Sequence, residues 1–255
     1  MQQKIKPIIF FSLLMIGCGA ILLGTSALSA PPENKLAIAP APAPVSSTMM
    51  LYDNLRLDTL SLSREAFAYA IEGYKSLLAA GELSNERILS IIDFSLPSSQ
   101  KRLFIIDIVS GRLLFNTLVS HGRNSGTAMA TRFSNMPRSN QSSLGFYVTG
   151  DTYRGEHGYS LKLEGMEKGI NDNALMRKIV VHGAAYVNEN MIAQKGYIGR
   201  SLGCPAIPDK LKTAIIDVIR DRSCLFLYGP DKKYLSHSRM LAHVSFSTPD
   251  SITAG

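Results

Sequence analysis

Between residues 63 and 80 the apolar positions Phe67, Ile71, Tyr74 and Leu78 recur every three or four residues, with Ala70 and Leu77 beside them. That spacing gathers them on one stripe and predicts an amphipathic helix. Ser63 is placed to cap its start and Gly81 to end it. From Ile88 the pattern changes to short runs of Ile, Leu, Phe and Val at 88–94, 102–109 and 113–120. Ser110-Gly111-Arg112 reads as the hairpin turn between the last two. Further strands are expected at 145–149, 159–163, 179–182 and 224–228. A second helix is expected at 209–220, with Leu211, Ile215, Val218 and Ile219 facing inward. Thirteen of the twenty glycines fall between Gly111 and Gly203. Short strands punctuated in this way predict an α+β, β-rich domain rather than repeated βαβ units. After Tyr228 the pattern weakens, and the tail from Ser245 reads as loose.

The first thirty residues follow a different logic. Lys4 and Lys6 precede an almost entirely apolar run from Ile8 to Leu23, followed by Gly24, Thr25, Ser26 and Ala27. This is the order of a secretory signal peptide, with cleavage after Ala27 or Ser29. The apolar stretch is also long enough to remain as a membrane anchor through residues 8–28. Met15-Ile16-Gly17-Cys18 loosely resembles a lipoprotein box, although apolar residues continue past the cysteine. Each reading places the remainder outside the cytoplasm, in the periplasm or cell envelope. Residues 31–49 form a Pro/Ala-rich linker ending Pro40-Ala41-Pro42-Ala43-Pro44. Proline fixes φ and removes a donor, so this segment is extended and semi-rigid. It is either a spacer from the membrane or a remnant behind a cleaved signal. Residues 50–235 are then the main folded domain and 236–255 the tail.

Composition narrows the classes. Hydrophobic residues make up 45% and charged residues 18% of 255, which excludes a fully disordered chain. The net charge of +7 includes Lys4 and Lys6, and a charge this small does not imply nucleic acid. The three cysteines, Cys18, Cys204 and Cys224, are too few for a disulfide scaffold.

Two segments carry candidate chemistry. Ile179-Val180-Val181-His182-Gly183 is an apolar strand ending in histidine and glycine. Gly199-Arg200-Ser201-Leu202-Gly203-Cys204-Pro205-Ala206 sets a cysteine behind a glycine, in a loop just before a helix. A cysteine attacks as thiolate, and a neighbouring imidazole assists its ionisation. The N–H groups of Gly203 and Cys204 are placed to serve an oxyanion. The rival reading is a simple structural Cys204–Cys224 disulfide, which an exported protein permits. Against it, Cys224 lies in the apolar run Cys224-Leu225-Phe226-Leu227-Tyr228, where it reads as a small core residue.

His182-Gly183 followed by Arg200-Ser201-x-Gly203-Cys204 resembles the signature of the L,D-transpeptidase catalytic domain (YkuD-like) family. The nearer resemblance is to the branch described as murein L,D-transpeptidase catalytic domain proteins. It is carried by Ser120-His121-Gly122-x-x-Ser125-Gly126, Phe133-Ser134-Asn135, Ser143-Leu144-Gly145, Ser160-Leu161-x-Leu163, Asn171-Asp172-x-Ala174 and Ser201-x-Gly203-Cys204-Pro205-Ala206. It covers roughly residues 50–230. The resemblance implies a β-sandwich catalytic fold with an N-terminal helix, a helix after the nucleophile loop, and the cysteine in a groove. It implies acyl transfer on peptidoglycan stem peptides, with no metal or cofactor. Carried over, Cys204 is the nucleophile, His182 the base, and the carbonyl of Gly183 orients the imidazole in place of a triad carboxylate. The alternatives are hydrolysis of the same bond, as an L,D-carboxypeptidase or endopeptidase, or a non-catalytic wall-binding module with a Cys204–Cys224 disulfide.

The chain departs from the wider family where Leu202 and Pro205 replace a second histidine and an arginine beside the nucleophile. His121 and Arg200 are candidates to take over oxyanion or substrate binding, and Ser201 to fix the loop or bind substrate. Tyr159 and Tyr186 are candidates to wall the groove. Asn171, Asp172 and Asn173 read as a structural turn cluster. His157, His237 and His243 have no partner identifiable from sequence. No paired carboxylates of glycosidase type and no metal-spaced cluster stand out.

Overall fold

The computed structural model describes residues 47–242. The expected signal or anchor segment, most of the expected linker and the last thirteen residues lie outside them. Two helices lead: α1 (Ser47–Asn54) and α2 (Arg64–Ala79). α2 starts where its cap was expected, with the Ser63 hydroxyl accepting from the N–H of Ala66 at 3.0 Å. Of its expected stripe Phe67, Ala70, Ile71, Tyr74 and Leu77 are buried, whereas Leu78, in the last turn, is exposed. Gly73 sits in mid-helix because the ring of Phe146 lies against it. A Cβ there would come within 2.0 Å of that ring. The helix forgoes some propensity at this position to let the aromatic layer approach.

Eight strands follow: β1 (Ile88–Asp93), β2 (Leu103–Asp107), β3 (Arg112–Thr117), β4 (Gly145–Gly155), β5 (Gly158–Gly165), β6 (Val180–Ala184), β7 (Ala206–Pro208) and β8 (Cys224–Tyr228). They make one mixed sheet in the order β3-β2-β1-β8-β4-β5-β6-β7, nearly barrel-like, with few helices around it. The β-rich α+β class expected from sequence is the one observed. β1 and β8 pair in parallel, as do β6 and β7, and the remaining pairs are antiparallel. β1, β2 and β8 are buried along their whole lengths, which is why they read as unbroken apolar runs rather than alternating ones.

Three further α-helices follow, α3 (Glu189–Lys195), α4 (Lys212–Ile219) and α5 (Lys232–His237), and a 3₁₀ turn at Arg239–Leu241 ends the described chain. The helix expected over 209–220 is a 3₁₀ turn, Asp209–Leu211, running into α4. α2 packs on β1 and β8, and α4 on β1, β5 and β6. Phe146 stacks on Phe226 at the centre, with ring centroids 4.2 Å apart. The β4–β5 hairpin outgrows this core. β4 is buried only through Thr149, and its register shifts between Thr149 and Thr152. Beyond that bulge the arm projects with its outer half largely exposed, turning at Glu156-His157.

Candidate active site

His182 sits in β6, opposite Ser160 of β5 and Ala206 of β7. Its Nδ1 lies 3.0 Å from the Gly183 carbonyl. A carbonyl only accepts, so Nδ1 carries the hydrogen and Nε2 is the free basic nitrogen of the neutral ring. Burial pushes the His182 pKa below the ordinary histidine value. The Gly183 carbonyl opposes that shift, and His157, whose ring lies over it, adds to it. The imidazole is therefore neutral at neutral pH.

Cys204 lies two residues before Ala206, diagonal to His182 across the parallel β6–β7 pair. It is half-buried. Its Sγ accepts from the Val180 N–H at 3.4 Å and its thiol faces the Lys178 carbonyl at 3.7 Å. No hydrogen bond joins the thiol to His182. The direct sulfur–imidazole contact expected from sequence is absent from this arrangement, because the sulfur is turned toward the backbone at the start of β6. Burial pushes the thiol up, while the Val180 N–H and the Arg177 guanidinium pull it down. The net direction is upward, so a neutral thiol stands near a neutral imidazole rather than a ready-made ion pair.

The loop bearing Cys204 is tightly braced. The Ser201 hydroxyl donates to the Cys204 carbonyl at 2.6 Å and accepts from the Gly203 N–H at 3.1 Å. Ser201 thus fixes the loop, one of the two roles weighed for it. The same bond corrects the oxyanion assignment of Gly203, whose N–H is already committed. Gly203 instead supplies conformation: its φ is +129°, and a Cβ would meet the Gln141 carbonyl at 2.9 Å. Its own carbonyl accepts from the Ser142 hydroxyl at 3.2 Å.

His121 is also corrected. It is fully buried, and Arg102, itself fully buried, donates from Nη2 to its Nδ1 at 2.7 Å. A guanidinium cannot accept, so the ring hydrogen is on Nε2, which faces the Gly126 carbonyl at 3.3 Å. Burial and the adjacent Arg102 charge pull the His121 pKa down to about 4. Such a side chain cannot bind substrate. It acts on the loop from behind: the His121 carbonyl accepts from the Ser201 N–H at 3.0 Å, and neighbouring Ser120 bonds to Ala206 through both backbone and hydroxyl. Arg102 completes the brace through the carbonyls of Val119 and Leu96. Arg200 donates to the Gly126 carbonyl at 3.1 Å and lies over Tyr197, so part of its donor set is used within the loop. The disulfide alternative is not realised, since Cys204 and Cys224 are both free and Cys224 is buried in β8.

One residue had no signal in the sequence. Arg177 sends its guanidinium to the carbonyls of Ser134 and Gln141 and the hydroxyls of Ser139 and Ser143. It ties the 134–143 segment together beside Gly203 and is the cation that acts on the thiol. Tyr186 stands close enough to Cys204 to feel its charge, and its ring fills the space that a side chain at Gly199 would need. Tyr159 instead donates to Asp217 of α4 at 2.7 Å, away from the cysteine. One surface concavity, of about 1030 Å³, includes Phe133, Met166, Lys233 and Met240 in its lining but neither Cys204 nor His182. Among the described residues no cluster of His, Cys, Asp and Glu is arranged to hold a metal ion.

Residues 58–228 match the family described as the L,D-transpeptidase catalytic domain. The chain belongs to that family. No curated protein matches the chain. Among solved structures it is similar to an L,D-transpeptidase from Mycobacterium smegmatis at 12% identity and a TM-score of 0.36, over 56% of this chain and 59% of that one. It is also similar to the helical cell shape determining protein Pgp2 (K307A mutant) of Campylobacter jejuni, at 12% identity and 0.37, over 67% and 58%. A third is an L,D-transpeptidase (Yku) from Stackebrandtia nassauensis, at 12% and 0.34, over 72% and 77%. The chain spans about three fifths of the length of the first of these.

Proposed function

We propose that this chain is an exported cysteine L,D-transpeptidase that cross-links or remodels peptidoglycan through a thioester on Cys204. Family membership and the resemblance carry the substrate class: stem peptides ending in a D-amino acid. The observation that carries the chemistry is the His182 Nδ1–Gly183 bond, which leaves a basic Nε2 one diagonal step from a half-buried cysteine.

In this reading the sulfur leaves the Val180 N–H by rotation about its Cα–Cβ bond and turns toward His182. The thiol proton passes to Nε2 as sulfur bonds to the substrate carbonyl carbon. The Cys204 N–H and the nearby Arg177 charge favour the oxyanion. Collapse breaks the C–N bond, and the departing D-amino acid takes the proton from His182. An amine of a second stem then attacks the thioester, its proton goes to His182, and the sulfur is released and reprotonated. The basic, apolar and small-residue order of residues 1–30 supports export, with a retained anchor as the variant form.

Incubation of the full chain with purified tetrapeptide muropeptides tests this. Cross-linked dimers together with released D-amino acid are expected. Trimmed monomers without dimers would make it a hydrolase, and unchanged substrate would refute the reading. His182→Ala is expected to slow Cys204 acylation at neutral pH, and an unchanged rate would remove its role as base.

A further inference from the structure

The projecting β4–β5 arm carries a group that the reaction above does not use. Its turn presents His157, an exposed residue, flat against the ring of His182, with centroids 4.2 Å apart and planes 19° from parallel. Among the described residues His157 makes no hydrogen bond and no ion pair, so this stack is its principal contact. Two glycines let the turn fold back so far. Gly158 has a φ of +71°, and a Cβ on Gly155 would run into the Tyr153 ring at 2.7 Å. His182 is only 3% exposed, although its cover on this side is a residue standing in solvent.

We propose that His157 is a positioning residue for His182: through the stack it holds the plane of the imidazole and keeps water from its face, so that Nε2 stays the neutral acceptor of the thiol proton. The inference rests on the reading of His182 as the base. The hydrogen bond to Gly183 fixes one atom of the ring, whereas a stacked partner fixes the plane. The chain lacks the second histidine beside the nucleophile, and the arm brings a second imidazole to the base from a distant part of the sequence.

The charged groups around His182 are paired with one another, which leaves His157 as its unpaired neighbour. Lys162, on β5 opposite Val180, pairs with Asp151 at 3.5 Å. Asp209 and Lys212, packed against Gly183, pair with each other at 2.8 Å. Cys204, on the adjoining loop, is neutral at neutral pH because burial raises its thiol. Both the cover and the charge of His157 push His182 toward its neutral form. Removing them lets its pKa rise toward the ordinary value. The acid limb of thiol acylation then moves to higher pH, with less neutral base between about pH 5 and 7.

The test uses the full chain with His157→Ala and His157→Phe. Two quantities are followed against pH: Cys204 acylation by a carbapenem, and the titration of the His182 ring by NMR in a Cys204→Ser background. His157→Ala is expected to raise the His182 midpoint by about half a pH unit or more, equivalent to a roughly threefold slower acylation on the acid limb. At pH 8 the rate should be near that of the unmodified chain. His157→Phe keeps the stacked cover and should restore most of the shift. An unmoved midpoint in His157→Ala would overturn the proposal. So would a loss of rate equal at every pH, which would make His157 a substrate contact. If the unmodified chain forms no adduct at all, the transpeptidase reading fails, and the NMR midpoint alone still decides whether His157 sets His182.

Discussion

The buried Arg102–His121 pair makes stability depend on pH in a way that one substitution can isolate. His121 has its pKa pulled down from 6.5 to about 4 by burial and by Arg102. A group whose pKa is lowered on folding binds more protons in the unfolded chain. Its contribution to stability is therefore complete above pH 6.5 and is lost as the pH falls through about 4. Worked through the linkage relation, acidification from pH 7.5 to 5 removes about 2 kcal/mol at this one site, with a slope approaching about 1.4 kcal/mol per pH unit. His121→Asn keeps an amide oxygen for Arg102 Nη2 but cannot titrate. Urea unfolding of both proteins at pH 7.5, 6 and 5 cancels every other titrating group. The unmodified chain is expected to lose about 2 kcal/mol more than the variant over this range. Parallel stability curves, differing by a constant offset, would show that His121 does not carry the effect and that the brace behind the Cys204 loop is misread.

Gly73→Ala drives a methyl group into the Phe146 ring, and destabilisation of about 1–3 kcal/mol or more should appear in thermal or urea melts. Near-neutral behaviour would mean that the α2–β4 packing is wrong. Ser201→Ala leaves the buried Gly203 N–H without its acceptor and frees the Cys204 carbonyl. It should cost about 1–3 kcal/mol and slow Cys204 acylation, measured by melts and stopped-flow, while an unaffected rate would deny that this loop needs the bond. Arg177→Gln removes the cation that lowers the Cys204 thiol, so the pH midpoint of Cys204 alkylation should move upward. An unmoved midpoint would separate Arg177 from Cys204.

Much of this was legible in the residues because it is local. α2 announced itself through its stripe and the Ser63 cap, and β8 through an unbroken apolar run. The paired motifs around His182 and Cys204 pointed to the strand and loop that the sheet sets side by side at β6 and β7. What escaped depends on distant segments meeting. β7 is three residues long and ends in a proline, too short for any period. α3 has an Asn188 cap and a Gly196 terminator, but it buries none of its residues, so no apolar stripe marks it. His121 had the strand-end position of a site residue, yet Arg102, nineteen positions earlier, turned it inward. The stacking of His157 on His182 and the reach of Arg177 to four partners arise only when the sheet is assembled.

The central claim is that Cys204 attacks and holds the acyl group. Exposure of the full chain to a carbapenem, followed by intact mass and peptide mapping, tests it most directly. One adduct of the mass of the drug is expected, on the peptide that contains Cys204. It should be absent from Cys204→Ala, which should keep the melting behaviour of the unmodified protein. An adduct that persists in that variant, or a chain that stays unmodified while correctly folded, would contradict the account.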